Sequence, residues 1–384
     1  MDTLIPFDYG TLRVVWWALL GVLLVGFAIM DGFDLGIAAM LPLVARTDAQ
    51  RRVTLNVVGP VWEGNQVWLI TAGGAIFAAW PLLYATSFSS FYLAMMLLLV
   101  ALILRPVGFK YRSKLPDPAW RASWDGVLCF SGVVASLVFG VAMGNVITGV
   151  PFGFESTTLR PVWEGSFFGL FTPFALASGV LSVVLLCMHG MVLLAWRTDG
   201  EVEQRARNYG RVLAVAVCVI FAALGLWVAG PLEGQAITSA IDPARMSDPM
   251  QKTVAVAAGG WMANFSRWPW MWTAPVLGVA GPLLVVLLLS ARRNVAAFLA
   301  SSVSVAAVIT TVGFALFPFL MPSSLTPAAG LTVWDASSSH LTLWIMLLAT
   351  LFFMPLIILY TSWVYRVMRG KVTDDVVQDN PHAY

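Results

Sequence analysis

The sequence predicts an all-α integral membrane protein that folds as a bundle of nine transmembrane helices. Of its 384 residues, 59% are hydrophobic and only 11% are charged, and soluble domains carry about 25% charged residues. Apolar windows of the ~20 residues that a helix needs to cross a bilayer recur along the whole chain. Each window is too long for a barrel strand, so each must close its backbone hydrogen bonds within itself, as a helix.

The windows divide a single membrane domain, 1–384, into nine spans joined by short connections. The spans lie at about 12–43, 57–83, 87–108, 123–145, 166–196, 208–230, 269–290, 295–320 and 339–366. The longest connection, 231–268, is predicted to be the largest periplasmic loop, and 367–384 a cytoplasmic tail. The first span is too long for a secretory signal and contains acids, so we interpret it as a retained helix.

The basic residues predict an orientation with the amino terminus outside and the carboxyl terminus in the cytoplasm. Arg and Lys concentrate in cytoplasmic loops, and all but five of the 22 here follow odd-numbered spans. The five exceptions are Arg13, Arg160, Arg245, Lys252 and Arg267. The formal net charge of +2 gives no reason to expect a nucleic-acid partner.

Asp31, Asp34 and Glu63 lie within the predicted spans, where ionisable groups are costly and are functional candidates by default. Asp31 and Asp34 are three residues apart and share one face of the first helix. At ~1.5 Å per residue, Asp34 lies ~18 Å from Arg46, and Glu63 lies ~16 Å from Arg52. These estimates predict one buried acidic cluster on the cytoplasmic half of two neighbouring helices.

Two further features accompany these acids. Arg105 ends the third span on the same side and is the predicted counter-ion. Gly32 and Gly36 form a small-xxx-small pattern, which predicts the close approach of another helix backbone.

Each acid has a functional and a structural interpretation. Glu63 is flanked by Asn65 and Gln66, amides that suit a buried proton relay. It also follows Pro60 at a position where a helix start would favour a carboxylate without any function. Asp31 and Asp34 fit either proton transfer or ion pairing that supports assembly.

The stretch PVWEG occurs twice, at 60–64 and at 161–165. The residues after the two copies share no pattern, so the sequence gives no support for an internal duplication. Glu164 in the second copy is interpreted as a carboxylate in the first turn of the fifth span, beside Trp163 as an interfacial anchor.

No metal or haem site is predicted in this chain. Haem in a membrane bundle usually needs axial His or Met on facing helices, and the only histidines are His189, His340 and His382. His189 is interpreted as a hydrogen-bonded core residue, and His340 as part of a capping region before the last span. The residues alone fit a proton-conducting subunit, a secondary transporter or a purely structural membrane subunit.

Five motifs resemble subunit II of the cytochrome bd ubiquinol oxidases, in the same order along nearly the whole chain. They are DGFDLG (31–36), WEGNQVWLITAGGAIFAAWP (62–81), LRPVGFKYRSK (104–114), FPFLMPSS (317–324) and LTVWDASSSHLTLWIM (331–346). The resemblance implies a heterodimer in the bacterial inner membrane. Its larger subunit I would carry two haems b and one haem d, oxidise quinol outside and reduce dioxygen to water by four electrons.

The resemblance also implies roles for particular residues. Glu63 stands at the family's proton-path acid, which is Asp in many relatives, and would help to generate the proton motive force. Asp31, Asp34, Trp62 and Arg105 match residues that support the haem sites and assembly. A structural quinone in this subunit, small accessory subunits and the choice between ubiquinol and menaquinol are left open.

Overall fold

A computed structural model describes residues 5–155, 157–373, 375 and 377, and helices form most of it. The helices are α1 (Tyr9–Val44), α2 (Asp48–Val58), α3 (Trp62–Ala79), α4 (Pro81–Ser90), α5 (Tyr92–Tyr111), α6 (Pro118–Thr148), α7 (Pro173–Arg197), α8 (Gly200–Ala229), α9 (Ala263–Arg267), α10 (Thr273–Ser290), α11 (Asn294–Leu316) and α12 (His340–Val367). The predicted helical membrane class is confirmed. Within the described ranges, eight helices are long and apolar enough to cross a membrane, and α3 with α4 makes up to nine.

The second predicted span, 57–83, is not a single straight helix. It begins in the last turn of α2, breaks at residues 59–61 and continues as α3. It then bends by 120° into α4. Pro81 occupies the first turn of α4, where its missing N–H does no harm but where it cannot continue the hydrogen bonds of α3.

The fifth predicted span, 166–196, starts seven residues too early. Thr172 is the N-cap of α7 and accepts a hydrogen bond from the backbone N–H of Ala175, and Pro173 occupies the first turn. Cap and proline together fix the start of the helix. The residues before them are apolar but form a short 3₁₀ turn and irregular backbone.

Helix α1 is the centre of the bundle and packs against α3, α6, α7 and α11. Its contact with α7 depends on glycine: a Cβ added to Gly36 would lie 1.9 Å from the carbonyl oxygen of Leu186. A Cβ on Gly190 of α7 would lie 2.7 Å from the backbone nitrogen of Ile37. The close approach predicted from Gly32 and Gly36 is therefore confirmed, with the backbone contact at Gly36.

Short antiparallel hairpins lie at one end of the bundle, in the connections that precede α7, α10 and α12. Their strands are β1 (Phe152–Phe154), β2 (Pro161–Trp163), β3 (Glu233–Ile237), β4 (Val254–Ala258), β5 (Phe319–Met321) and β6 (Leu331–Thr332). The predicted loop 231–268 thus contains a hairpin and the short helix α9. The predicted tail 367–384 is described only in part, and His382 lies outside the described residues.

The second PVWEG stretch belongs to this hairpin end. Its first three residues form β2, and the backbone N–H of Glu164 donates to the carbonyl of Pro151. Glu164 is exposed and follows a strand, so its assignment to the first turn of a helix is wrong. The two copies have different structures.

The loop between β3 and β4 is fastened to the bundle by buried charges. Arg13 of α1 donates to the carbonyls of Pro243 and Arg245. The Lys252 Nζ lies 2.7 Å from the Asp335 Oδ2. Burial raises the pKa of Asp335 and lowers that of Lys252, and the attraction between the two groups opposes both shifts.

Candidate functional site in the membrane

The centre of the candidate site is a buried ion pair between α1 and α5. The Arg105 Nη2 lies 2.7 Å from the Asp31 Oδ1, and neither side chain is exposed. The Arg105 Cζ lies 5.6 Å from the centre of the Trp62 ring, within the range of a cation–π contact. Trp62 stacks on Phe109 with ring centroids 5.6 Å apart. Arg105 is therefore the partner of Asp31, as the sequence predicts.

One turn further along α1, Asp34 begins a polar connection through three helices. The Asn65 Nδ2 of α3 donates to the Asp34 Oδ2 at 2.9 Å. The Tyr365 hydroxyl of α12 donates to the Asn65 Oδ1 at 2.8 Å. Asn65 does bind an acid, as its position suggests, but that acid is Asp34. Tyr365 was not predicted from the sequence, where its only signal is a hydroxyl in the last turn of an apolar span.

Several atoms of this cluster lack a hydrogen-bond partner within the described part of the chain. They include both carboxylate oxygens of Asp31, one of Asp34, and the Nε and Nη1 of Arg105. The Asp31 Oδ1 nevertheless lies in an ion pair with the Arg105 Nη2. Buried polar atoms in proteins nearly always have a protein or water partner. The cluster therefore has unused capacity to bind water or a polar group.

Glu63 is not part of this buried cluster. Its side chain is 67% exposed, and its Oε1 lies 3.7 Å from the Lys110 Nζ. The predicted single cluster of Asp31, Asp34 and Glu63 does not form within this chain, because Glu63 and Asn65, two residues apart, lie ~200° apart around α3. Since Asn65 faces α1, Glu63 faces away. The contact of Asn65 with Asp34 nevertheless places Glu63 at a depth close to that of Asp34.

The position of Glu63 also agrees with the structural interpretation. Helix α3 begins at Trp62, and Glu63 lies in its first turn, where the helix dipole favours a carboxylate. A carboxylate at this position therefore also stabilises the start of α3.

A second buried arginine lies in the turn after α5 and is paired much more completely. The Arg112 guanidinium contacts Asp125 through Nε at 2.5 Å and Asp48 through Nη2 at 2.8 Å. Arg51 also binds Asp125, at 2.7 Å, and Arg121 binds Asp48, at 2.5 Å. This network ties the ends of α2, α5 and α6 together. From the sequence, the three arginines were counted only as charges on the cytoplasmic side, and no partner was predicted for them.

His189 is a structural residue. Its Nδ1 lies 2.8 Å from the Ser301 Oγ, and its Nε2 lies 3.0 Å from the carbonyl oxygen of Ile29. Both ring nitrogens are thus occupied, and the ring stacks on Phe298. The predicted hydrogen-bonded core histidine is confirmed, and His189 has no nitrogen left for a haem iron.

The match to known proteins covers nearly all of this architecture. A family model described as cytochrome bd terminal oxidase subunit II matches residues 12–368. The chain belongs to the cytochrome bd terminal oxidase subunit II family. It is therefore part of a quinol oxidase complex, and membership of the family implies a subunit I as its partner.

Individual relatives agree with this assignment. The chain is 45% identical over 376 residues to the cytochrome bd-I ubiquinol oxidase subunit 2 of Escherichia coli strain K12, covering 98% of this chain and 99% of that protein. It is 44% identical over 376 residues, with the same coverage, to a probable cytochrome oxidase subunit 2 of Haemophilus influenzae. A cytochrome bd ubiquinol oxidase subunit 2 of Bacillus subtilis is 29% identical over 95% of this chain and 98% of its own length.

A solved structure has the same fold. A chain of the bd oxidase from Geobacillus thermodenitrificans superimposes with a TM-score of 0.67, covering 93% of this chain and 98% of that one. The two are 17% identical, so this likeness concerns the fold alone.

Proposed function

We propose that this chain is the subunit of a bacterial quinol:dioxygen oxidoreductase that guides cytoplasmic protons toward the oxygen-reducing site, with Glu63 as the acid that delivers them. The complex lies in the cytoplasmic membrane with the amino terminus of this chain outside. The haem-bearing subunit I carries two haems b and one haem d, which supply the oxygen chemistry and oxidise quinol at the outer face. Uptake of protons from inside then contributes to the proton motive force.

The observation that carries this proposal is the surface on which Glu63 lies. Exposed positions repeat every three to four residues along one side of α3, namely Glu63, Val67, Ile70, Gly74 and Phe77. A carboxylate at one end of an apolar stripe, level with a buried acid, is costly against lipid. Covering the stripe with subunit I would place Glu63 in the interface between the two chains, where a carboxylate can pass protons to the partner.

The ion pair between Lys110 and Glu63 is compatible with a role for Glu63 in proton conduction, because it holds the carboxylate only weakly. The two groups are 3.7 Å apart and both largely exposed, and exposed ion pairs of this kind contribute at most ~1 kcal/mol. The carboxylate therefore remains free to exchange protons with water or with a group of the partner subunit.

The buried cluster has a supporting role. Asp31, Arg105 and Trp62 lock α1, α5 and α3 together immediately behind the first turn of α3. That arrangement fixes the direction in which Glu63 points. Asp34 and Asn65 hold α3 against α1, and the remaining free oxygen of Asp34 suits an ordered water.

The alternatives fit less well. A secondary transporter of the inverted-repeat type uses broken helices in both halves of the chain. Among the described helices only the α3–α4 pair is sharply broken. A purely structural subunit explains Glu63 only as a carboxylate in the first turn of α3 and gives no reason for its place at the end of an exposed apolar stripe.

The test is Glu63→Gln in the assembled oxidase, which removes the proton-carrying group and keeps the size of the side chain. We expect oxygen consumption to fall at least tenfold, toward the ~10²-fold loss typical when a positioned proton-transfer group is removed. The haem spectrum and the ratio of the two subunits should stay unchanged. Glu63→Asp should retain most of the activity, because it keeps the carboxylate.

Glu164→Gln is the matched control, since Glu164 follows the same three residues, is exposed and lies at the other end of the bundle. It should leave oxygen consumption unchanged. Wild-type turnover of Glu63→Gln would remove Glu63 from the proton path. Loss of the haem spectrum together with activity would instead assign Glu63 to assembly.

A further inference from the structure

A basic cavity lies between α8 and α10, away from the Asp31–Arg105 cluster. Its volume is about 440 Å³, and three arginines line it, Arg207, Arg211 and Arg292. Asn208 and Ser290 add polar groups to the wall. We propose that this cavity binds the phosphate group of an anionic phospholipid.

The charges in the cavity leave a positive excess. Glu203 is the acid in its wall, and it is already paired with Arg207 and with Lys371. Arg211 donates to the Asn208 side chain. Neither Arg211 nor Arg292 forms an ion pair with any acid that the structure describes. The Nε of Arg207 is also buried without a partner inside the described ranges.

The depth of the cavity is that of lipid headgroups. From Arg211 to the end of α8 at Ala229 the helix rises ~27 Å at ~1.5 Å per residue, close to the ~30 Å hydrocarbon thickness of a bilayer. Helix α10 has 18 residues and ends at Ser290, so it has the same rise. The three arginines therefore lie at one edge of the hydrocarbon layer.

Exposed apolar side chains continue from the cavity into the hydrocarbon layer. Val215 and Val219 of α8 are exposed, and so are Leu284 and Leu287 of α10. A lipid whose phosphate occupies the cavity can lay its acyl chains along these residues. Basic pockets between transmembrane helices at the cytoplasmic surface are typical sites for anionic lipid headgroups. Inorganic phosphate has no acyl chains and would not contact these apolar side chains.

The backbone conformation of Arg292 is an independent indication that the positive charge of this residue is functional. It follows α10 with a φ of 56°, in the left-handed region where glycine is usual after a helix. A glycine there would avoid the strain, whereas an arginine also places a cation beside the cavity. Strain at a non-glycine residue is often found at ligand-binding positions. Favourable interaction of Arg292 with the α10 dipole is the competing explanation.

The experiment titrates the purified, delipidated oxidase complex with phosphatidylglycerol and counts bound lipids by native mass spectrometry. Phosphatidylcholine provides the zwitterionic comparison. Arg292→Gly and Arg211→Gln each remove a cation that would contact the bound phosphate directly, so each should weaken binding of phosphatidylglycerol about fivefold. Arg46→Gln is the matched control, because it removes one exposed cation at the same end of the bundle, outside the cavity.

The glycine variant also separates binding from folding. Arg292→Gly should bind lipid more weakly yet unfold at an unchanged or higher temperature, since glycine tolerates this backbone conformation. Equal weakening in Arg46→Gln, or equal affinity for phosphatidylcholine, would overturn the proposal. Displacement of the lipid by inorganic phosphate at comparable concentration would assign the cavity to free phosphate and overturn the lipid assignment.

Discussion

Arg105 and Arg112 are both buried at the end of the same helix region, yet their surroundings differ sharply. Arg112 contacts two carboxylates, and those carboxylates bind two further arginines. Arg105 contacts one oxygen of Asp31 and the face of Trp62. The first arrangement satisfies nearly every charge, and the second leaves donors and acceptors unused.

The difference separates an ion-pair network with a structural role from a buried site that can still bind other groups. A saturated network at the ends of helices, partly in contact with water, holds elements together and has little capacity for anything else. A buried pair with unused atoms is expensive to maintain, because neither desolvated charge is fully compensated. Such an arrangement is expected where water, protons or a partner subunit complete the bonding.

Asp31→Asn should have the largest effect on the complex, because it removes the carboxylate that the buried Arg105 contacts. Breaking a buried ion pair costs ~3–5 kcal/mol. We expect a marked loss of assembled complex and a lower midpoint of thermal unfolding in the material that remains. Immunoblotting of both subunits in the membrane and thermal unfolding of the purified complex measure these effects.

The double variant Asp31→Leu with Arg105→Met sharpens this prediction. Removing both charges should restore assembly, since an apolar pair of similar volume is often as stable as a buried ion pair. Assembly without oxygen consumption would show that the pair serves the reaction as well as the fold. An Asp31→Asn complex as abundant and heat-stable as the wild type would contradict the structural importance of the pair.

Asp125→Asn should have an intermediate effect, confined to stability. It weakens the contacts of Arg112 and Arg51, but Asp48 still binds Arg112 and the network is partly hydrated. Hydrogen bonds to charged groups contribute ~1.5–3 kcal/mol, so we expect a loss of about 2 kcal/mol. Oxygen consumption per assembled complex, measured against haem content, should equal that of the wild type, and a fall in this ratio would argue against a purely fastening role.

The sequence predicts one of these arginines correctly and not the other, for physical reasons. Arg105 is a charge inside an apolar span facing acids at similar depth, and few partners are available there. Arg112 lies in a connection rich in charges, where spacing does not indicate which acid it binds. The rotation of α3 about its axis could not be predicted either. Residue counts give the depth of Glu63 in the membrane, but the side of α3 on which Glu63 lies depends on the residue at which the helix starts.

The fold, too, could be predicted from the sequence in part. Apolar windows located the helices, because hydrocarbon thickness fixes their length. They did not reveal the break between α2 and α3, or the hairpins outside the membrane, which depend on local turns. Tyr365 and Asn65 are separated by 300 residues, so no local pattern could join them.

Tyr365→Phe should have the smallest effect of these substitutions. It tests whether the hydrogen-bonded connection from Asp34 through Asn65 to Tyr365 of α12 takes part in proton transfer. It removes one hydroxyl and leaves the Asn65 carbonyl oxygen without its donor, which costs ~1 kcal/mol. If the connection only holds α12 in place, oxygen consumption should be unchanged at every pH while thermal unfolding shifts slightly. If it carries protons, oxygen consumption should fall severalfold more than stability does, with an altered pH profile. Thr350→Val, which removes a hydroxyl bonded only within α12, is the control that separates loss of this connection from general loosening of the helix.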